Sequence, residues 1–333
     1  YADATPPTPR PRRWKPGSAI SNSQTRPASA RPPHPRTPAK MSDLEFNEVH
    51  FARLRDLVYH KLGLYFEDRK VYFVRTRAEK RMRALAMPSA DDYLFHLRFC
   101  DASGAEMQEL ANLLTTNETY MFREYEQLAA FADHCLPAVL NRKAVLNDRT
   151  LRIWSAGCSS GEEPYTLAMI LREVLTSPAD WDIEILATDI DQNMLERARA
   201  ARYDERSVRF VPREYAGRHL ERSVTGYTVH PDTARLVTVR HLNLHDRTAM
   251  RAMRHWDFIF CRNVLIYFDD LSRRSAVDHF YAALNPGGYI FLGHSESVGR
   301  ITSAFKLEKA DSFLVYVKEP LAATRSPLPV RVP

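Results

Sequence analysis

One unit constrains this chain more than any other. Leu151–Ala156 is an apolar run that reads as a strand. Gly157-Cys158-Ser159-Ser160-Gly161 then makes a tight glycine turn, and Glu162-Glu163-Pro164 opens a helix carrying Leu167, Ile170 and Leu171. The pattern repeats downstream. Ile183–Thr188 is a second strand ending at Asp189, and Leu195–Ala201 continues as helix. Asp257–Cys261 is a strand, Leu271–Leu284 a helix, Asn285–Gly288 a turn and Tyr289–Leu292 a strand. Phe313–Val317 is a late strand with no helix after it. Alternation of this kind predicts an α/β fold, a parallel sheet with helices on both faces. Ligands of such sheets bind beyond the carboxyl ends of the strands.

The glycine turn narrows the ligand. Its spacing is GxxxG, which misses the GxGxxG dinucleotide fingerprint. A diphosphate favours a helix start free of negative charge, and here Glu162 and Glu163 fill the first turn. Glutamates at a helix start also occur for dipole reasons alone. Beside a glycine turn they suit a ligand with positive charge and no phosphate, such as S-adenosylmethionine, which carries a sulfonium and an ammonium. Asp189 then stands where a ribose-binding acid belongs, at the end of the second strand. It could instead cap the helix that follows, a task Asp191 is also placed to perform.

Residues 41–115 read differently. Ser42 and Glu45 have the spacing of a capping box, and Leu54, Leu57, Val58 and Leu62 follow at helical spacing up to Gly63. Asp68 is placed to cap a second helix, whose apolar positions Val71, Val74, Ala78, Met82 and Leu85 share one face, with Pro88 beyond its end. Arg69, Lys80 and Arg83 project from the opposite face, with Arg77 on its flank. Further helical patterns run through Tyr93–Leu97 and Met107–Leu114. A basic face is commonly just a solvated one; its alternative is a dock for an acidic partner.

Charge and cysteine usage exclude several classes. The chain has 333 residues and a net charge of +6, yet residues 1–40 hold eight basic side chains, one acid and ten of the 21 prolines. That leaves 39 basic and 40 acidic residues in 41–333, a near-neutral body that disfavours a general grip on nucleic acid. The Pro/Arg-rich segment 1–40 is expected to be a disordered upstream extension dispensable for function, since Met41 opens the first well-patterned stretch. Residues 319–333 are expected to be a disordered C-terminal tail. Cys100, Cys135, Cys158 and Cys261 form no CxxC pair, so neither a zinc site nor a disulfide framework is expected. No apolar run approaches the roughly 18–20 residues of a membrane span, and a cytoplasmic location is expected.

Several long motifs, in order, resemble the CheR family of chemotaxis receptor methyltransferases. They are Thr116–Glu124 (TNETYMFRE), Trp154–Tyr165 (WSAGCSSGEEPY), Ala187–Asp191 (ATDID) and Cys261–Phe268 (CRNVLIYF). The resemblance spans roughly 42–318. It implies a small helical docking domain at 41–115, a linker and interdomain helix at 116–150, and a Rossmann-like methyltransferase domain at 151–318 with a small insertion near 202–240. It also implies S-adenosyl-L-methionine as methyl donor, no metal, and glutamate γ-carboxylates on chemoreceptor cytoplasmic helices as acceptors.

Residue by residue, the resemblance implies that Asn117, Thr119 and Arg123 contact the cofactor from the interdomain segment, and Gly157 from the glycine turn. Either Glu162 or Glu163 holds the ammonium, Asp189 the ribose, and Asn243 and Leu244 the adenine side. Arg262 and Asn263 lie beyond the fourth strand, and Tyr267 stands beside the transferred methyl. Arg123, Arg262 and Tyr267 would position the acceptor, with no general base. A trio His294/Ser295/Glu296 looks catalytic but is too close in sequence to converge. The acidic receptor helix makes Arg69, Arg77, Lys80 and Arg83 a fitting dock. Some family members grip a receptor carboxyl-terminal pentapeptide with a Gly-x-Gly loop; here Gly226-Tyr227-Thr228 lacks it, so independence from that tether is expected. A monomer is expected. The competing expectation is a cofactor-binding signalling adaptor with little turnover.

Overall fold

A computed structural model describes residues 46–296, 302–310 and 313–320. Ser42, Glu45, the segment 1–40 and most of the C-terminal tail lie outside the described residues.

The first lobe is helical because its apolar residues recur every three or four positions and bury one face of each helix. Helix α1 (Glu48–Leu62) buries Phe51, Leu54, Val58 and Leu62. Its start is a capping box made by Asn47 and His50. Gly63 ends it in the left-handed conformation, φ 75°. A Cβ there would come within 2.7 Å of the His245 ring, so glycine also permits the two lobes to meet. Helix α2 (Val71–Ala84) buries Val74, Ala78 and Met82. Asp68 does not cap it: a short 3₁₀ turn, Asp68–Lys70, comes first, and Asp68 pairs with Arg55 at 2.6 Å. Helices α3 (Ala90–Phe95) and α4 (Ala105–Leu114) complete the lobe. Glu106 is buried there, held by Tyr93 at 2.8 Å and by both Nε and Nη2 of Arg81.

After the linker, helices α5 (Tyr125–Ala130) and α6 (Leu136–Val145) lead into the α/β lobe. Its first strands are β1 (Thr150–Ala156) and β2 (Asp182–Asp189), with helices α7 (Glu162–Val174) and α8 (Gln192–Ala200) after them. Strands β3 (Arg202–Tyr203), β4 (Leu220–Ser223) and β5 (Gly226–Val229) form a separate small sheet in the order β3-β5-β4. Helices α9 (Glu205–Val208) and α10 (Arg213–His219) flank it. The chain then returns to the main sheet as β6 (Val237–His241), so the separate sheet ends before the expected residue 240. Strands β7 (Trp256–Cys261), β8 (Leu284–Leu292), β9 (Lys306–Ala310) and β10 (Phe313–Val317) follow.

The main sheet runs β6-β2-β1-β7-β8-β10-β9. Five strands are parallel, as the alternation predicts, but β10 is antiparallel to both β8 and β9. No crossover helix separates β9 from β10, so a hairpin is the short way to extend the sheet. Aromatic side chains fill both faces. Phe131 meets Phe258, Phe260 and Phe291 edge-on at 5.0–5.9 Å, while Trp154 packs on Phe280 at 5.3 Å. The indole of Trp154 donates to Thr188 Oγ1 at 2.8 Å, tying the ends of β1 and β2 beside the glycine turn. Among the described residues no helix is long and apolar enough to cross a membrane, and no His/Cys/Asp/Glu cluster could hold a metal.

Candidate functional site

The strands end in one pocket. Its walls come from the carboxyl ends of β1, β2 and β7, from the segment after β6, and from the linker Thr115–Arg123, while Leu62 and Leu64 of the helical lobe close it. The lobes are held together at its edge. The Tyr65 N–H donates to the Tyr267 carbonyl at 2.9 Å, and the Tyr267 hydroxyl donates to the Thr116 carbonyl at 3.1 Å. Burial raises the Tyr267 pKa, which keeps that hydroxyl a donor.

The glycine turn is fixed by its backbone. Gly157 N–H and Cys158 N–H both donate to the Thr188 carbonyl, at 2.7 and 2.9 Å. Gly157 has φ 81°, and a Cβ on it would stand 2.3 Å from Val264 Cγ2. Only glycine fits there without moving the Arg262–Tyr267 turn, which forms the opposite wall.

Glu162 and Glu163 are adjacent but face different places. Glu163 lines the pocket, accepting from Ser155 Oγ at 2.7 Å and pairing with Arg262 at 3.4 Å. Burial raises its pKa; Arg262 opposes that shift. Glu162 is not part of the pocket wall. It is 2% exposed and accepts from Ser160 Oγ at 2.8 Å and Ser207 Oγ at 3.0 Å, so it ties the glycine turn to the insertion. Of the two glutamates between which the sequence left the choice open, Glu163 is the one that lines the pocket; α7 turns successive side chains about 100° apart, so neighbours point in different directions.

Asp189 lines the pocket and Asp191 does not. Asp189 accepts from the Ser159 and Asp191 N–H groups at 2.7 and 2.9 Å, and burial pushes its pKa up to about 6. Asp191 performs the capping, accepting from Asn193 and Met194 N–H, and its other oxygen accepts from Asn117 Nδ2 at 2.7 Å. Asn117 therefore anchors the linker as well as lining the pocket.

The remaining expected residues gather around the same space. Thr119, Arg123, Asn243, Leu244, Arg262, Asn263 and Tyr267 all line it. Asn243 Nδ2 donates to the Lys61 carbonyl at 2.9 Å, so this side chain also fastens α1 to the α/β lobe. Arg262 is 8% exposed, donates to the Arg123 carbonyl at 2.5 Å and lies 3.4 Å from both Glu124 and Glu163. The His294/Ser295/Glu296 trio does not converge. Glu296 accepts from the N–H groups of Asn263, Ile266 and Gly293, while His294 faces Glu124 at 3.9 Å. Glu296 shapes the Asn263–Tyr267 turn, where Asn263 has φ 60°.

Sequence reasoning missed the apolar part of the wall, including Leu62, Leu64, Ile190 and Val264. The first two come from the other lobe, and no local pattern distinguishes a residue at a lobe junction from an ordinary core position. Arg77, on the flank of the basic face, also has partners within the lobe. That guanidinium lies 3.4 Å from the centroid of the Phe73 ring and donates to the Leu113 carbonyl at 2.9 Å, holding α2 against α4. Arg69, Lys80 and Arg83 are exposed, with Arg69 beside Glu67 at 2.6 Å and Arg83 beside Glu79 at 3.3 Å.

Fold and site define a two-lobed α/β protein with its ligand crevice at the strand ends, under a helical lobe. Residues 50–115 match the family described as CheR methyltransferase, all-alpha domain, and residues 117–314 match CheR methyltransferase, SAM binding domain. The chain is 40% identical over 279 residues to chemotaxis protein methyltransferase 2 of Vibrio cholerae, covering 84% of this chain and 96% of that one. It is 34% identical over 269 residues to the Escherichia coli chemotaxis protein methyltransferase, covering 79% and 90%. A probable chemotaxis protein methyltransferase of Rhizobium etli is 35% identical over 246 residues, covering 73% and 90%. The chain belongs to the CheR methyltransferase family, and its α/β lobe is the S-adenosylmethionine-binding domain.

Proposed function

We propose that this protein methylates glutamate γ-carboxylates on the cytoplasmic helices of methyl-accepting chemotaxis receptors, as a protein-glutamate O-methyltransferase in sensory adaptation. The observation that carries the reading is the pair of carboxylates, Glu163 and Asp189, facing one pocket in a chain that matches chemotaxis methyltransferases over most of its length.

The residues present fit S-adenosylmethionine. Ser159 Oγ and Asn263 Oδ1 belong to pocket-lining residues and are buried without a hydrogen-bond partner among the described residues, as suits donors or acceptors that meet a polar ligand. Glu163 would hold the ammonium and Asp189 the ribose hydroxyls, for which a carboxylate keeps spare lone pairs. Asn243 and Leu244 would flank the adenine, and Gly157 brings main chain close. Arg123 would stand near the methionyl part with Thr119. The bound cofactor supplies a methyl group on a positively charged sulfur.

This chain needs no general base. An exposed glutamate has a pKa of about 4.3 and is already an anion at neutral pH. What Arg123, Arg262 and Tyr267 supply is position, and what Leu62, Leu64, Leu244 and Val264 supply is exclusion of water, which favours neutralisation of opposite charges over their separation. Arg69, Lys80 and Arg83 would receive the acidic receptor helix. The insertion, without a Gly-x-Gly loop, would work independently of a receptor pentapeptide, and tight binding of such a peptide would overturn that part. The test of the whole is transfer of labelled methyl from S-adenosylmethionine to receptor cytoplasmic fragments, read as base-labile ester. Cofactor binding without any ester on any receptor fragment would favour the adaptor role instead.

A further inference from the structure

The mouth of the pocket carries a group to which the reaction above gives no task. Tyr120 is one wall of the pocket, and the insertion supplies its outer neighbours. Its ring centroid lies 5.1 Å from that of Phe210, and the Arg209 guanidinium sits over both rings, at 4.3 Å from Tyr120 and 4.8 Å from Phe210. Arg123 reaches the same Tyr120 ring at 5.8 Å. Two guanidinia therefore share one ring. Arg123 donates to the Glu118 carbonyl and Arg209 to the Arg206 carbonyl, both main-chain partners that leave the charge in place. Among the described residues neither forms an ion pair with a carboxylate. Glu118, which also lines the pocket, pairs at 3.4 Å with Arg206, and both are largely exposed.

This arrangement has the properties of a recognition surface. Keeping two cations together without a counter-anion is unfavourable, and a ring face offsets only a small part of that cost at an exposed site. A stacked guanidinium is held flat, with its N–H edge free to meet a carboxylate in a planar fork. Phe210 is 48% exposed, which leaves an apolar ring beside that edge. The rim is basic where the pocket floor, with Glu163 and Asp189, is acidic. An anionic acceptor must pass from one to the other.

We propose that Arg209, stacked on Tyr120 and Phe210, recognises an acidic side chain that flanks the accepted glutamate on an incoming polypeptide helix. The proposal rests on the methyltransferase reading and makes Arg209 a specificity-determining residue outside the reacting atoms. A polypeptide is favoured over nucleic acid because residues 41–333 carry 39 basic and 40 acidic side chains, too balanced for a polyanion grip.

The test compares R209M, which keeps the stem over the rings but removes the charge, with R209E. Acceptors are a chemoreceptor cytoplasmic fragment and the same fragment with acids flanking the methylated glutamate changed to Gln. R209M should raise the KM for the fragment about threefold and R209E about tenfold, with kcat and S-adenosylhomocysteine affinity unchanged. The neutral-flank fragment should be a poorer acceptor for the native enzyme, and R209M should add no further loss. Fragment binding is read separately by fluorescence anisotropy. Equal binding by native enzyme and R209E overturns the proposal whatever the turnover, as do simply additive losses. Single-stranded RNA that blocks methylation and loses its hold in R209E also overturns it. A native enzyme that binds the fragment through Arg209 but transfers no methyl overturns the methylation reading and leaves the recognition intact.

Discussion

Glu163 and Asp189 on the pocket floor are carboxylates held largely out of water, whereas Arg69, Lys80 and Arg83 on the helical lobe are cations held out in it. Asp189 is 8% exposed; Arg69 is 77% exposed along its side chain. The same unit of charge does different work in the two places. In a low-dielectric cleft it acts at short range and shifts its own protonation, and its removal strands its partners. On a wet helix it is screened within about 8–10 Å at ordinary salt, so it steers a partner but fixes little. Losses should therefore be large and salt-insensitive on the floor, small and salt-dependent on the helix.

Asp189 should give the largest effect. Asp189→Ala removes both the proposed ribose acceptor and the acceptor of the Ser159 and Asp191 N–H groups. Affinity for S-adenosylhomocysteine should fall about 100-fold or more, the size expected when charged hydrogen bonds and the local turn are lost together. Isothermal calorimetry reads this directly, and an affinity within threefold of the native value would remove Asp189 from the site.

The neighbouring glutamates sharpen the contrast because they differ in direction rather than in charge. Glu163→Gln should weaken cofactor binding about tenfold while leaving the melting temperature nearly unchanged. Glu162→Gln should do the reverse. Its hydrogen bonds from Ser160 and Ser207 are to a buried charged acceptor, worth about 1.5–3 kcal/mol, so the melting temperature should drop by several degrees. Equal losses of affinity in both variants would show that the orientation of α7 is misassigned.

The floor should also respond to pH. Asp189 is mainly ionised at neutral pH, and only the carboxylate offers acceptors on both oxygens. With its pKa at about 6, cofactor affinity should fall as pH drops through 6, by roughly tenfold between pH 7 and pH 5. Glu163, also raised by burial, acts in the same direction. The free protein has the opposite sign. The folded Asp189 holds its proton more tightly than the usual 3.8, so its contribution to stability is present at low pH and is lost as pH rises through 6. Calorimetry at pH 5, 6 and 7 tests this, and a flat affinity profile would exclude Asp189 as an acceptor.

How much of this was legible in the chain depended on how local the cause was. The glycine turn, the acidic pair and Asp189 lie within one β-α-β stretch, and their roles as turn, helix start and strand end follow from spacing. The choice between Asp189 and Asp191 was open in the sequence; the Asn193 and Met194 N–H groups, which reach Asp191, distinguish them. The choice between Glu162 and Glu163 was not legible, because Ser207, forty-five positions away, accounts for where Glu162 points. Strand β6 escaped notice since Val237–His241 is an edge strand with alternating exposure, and β9 because Lys306–Ala310 carries three charged residues on the outer edge. Helical angle places Arg77 on the flank of the basic face and says nothing of its partners. Phe73, one turn before it, and the Leu113 carbonyl on α4 draw its guanidinium inward.

The helix supplies the smallest expected effect and the sharpest control. Reversing Arg69, Lys80 and Arg83 together to Glu should raise the KM for a receptor fragment about tenfold at low salt, with kcat and cofactor affinity unchanged. Arg69 and Arg83 already sit beside Glu67 and Glu79, which discounts their charge before any partner arrives. Raising ionic strength toward 0.5 M should shrink the difference to about threefold or less, because exposed charges are screened at that distance. Arg77→Glu should behave differently. It breaks the contacts with Phe73 and Leu113, so it should lower the melting temperature and show no such relief by salt. If the triple reversal changed cofactor affinity as much as KM, the helix would be coupled to the pocket rather than acting as a separate dock. If receptor KM stayed normal at low salt, its basic face would be no more than solvated surface.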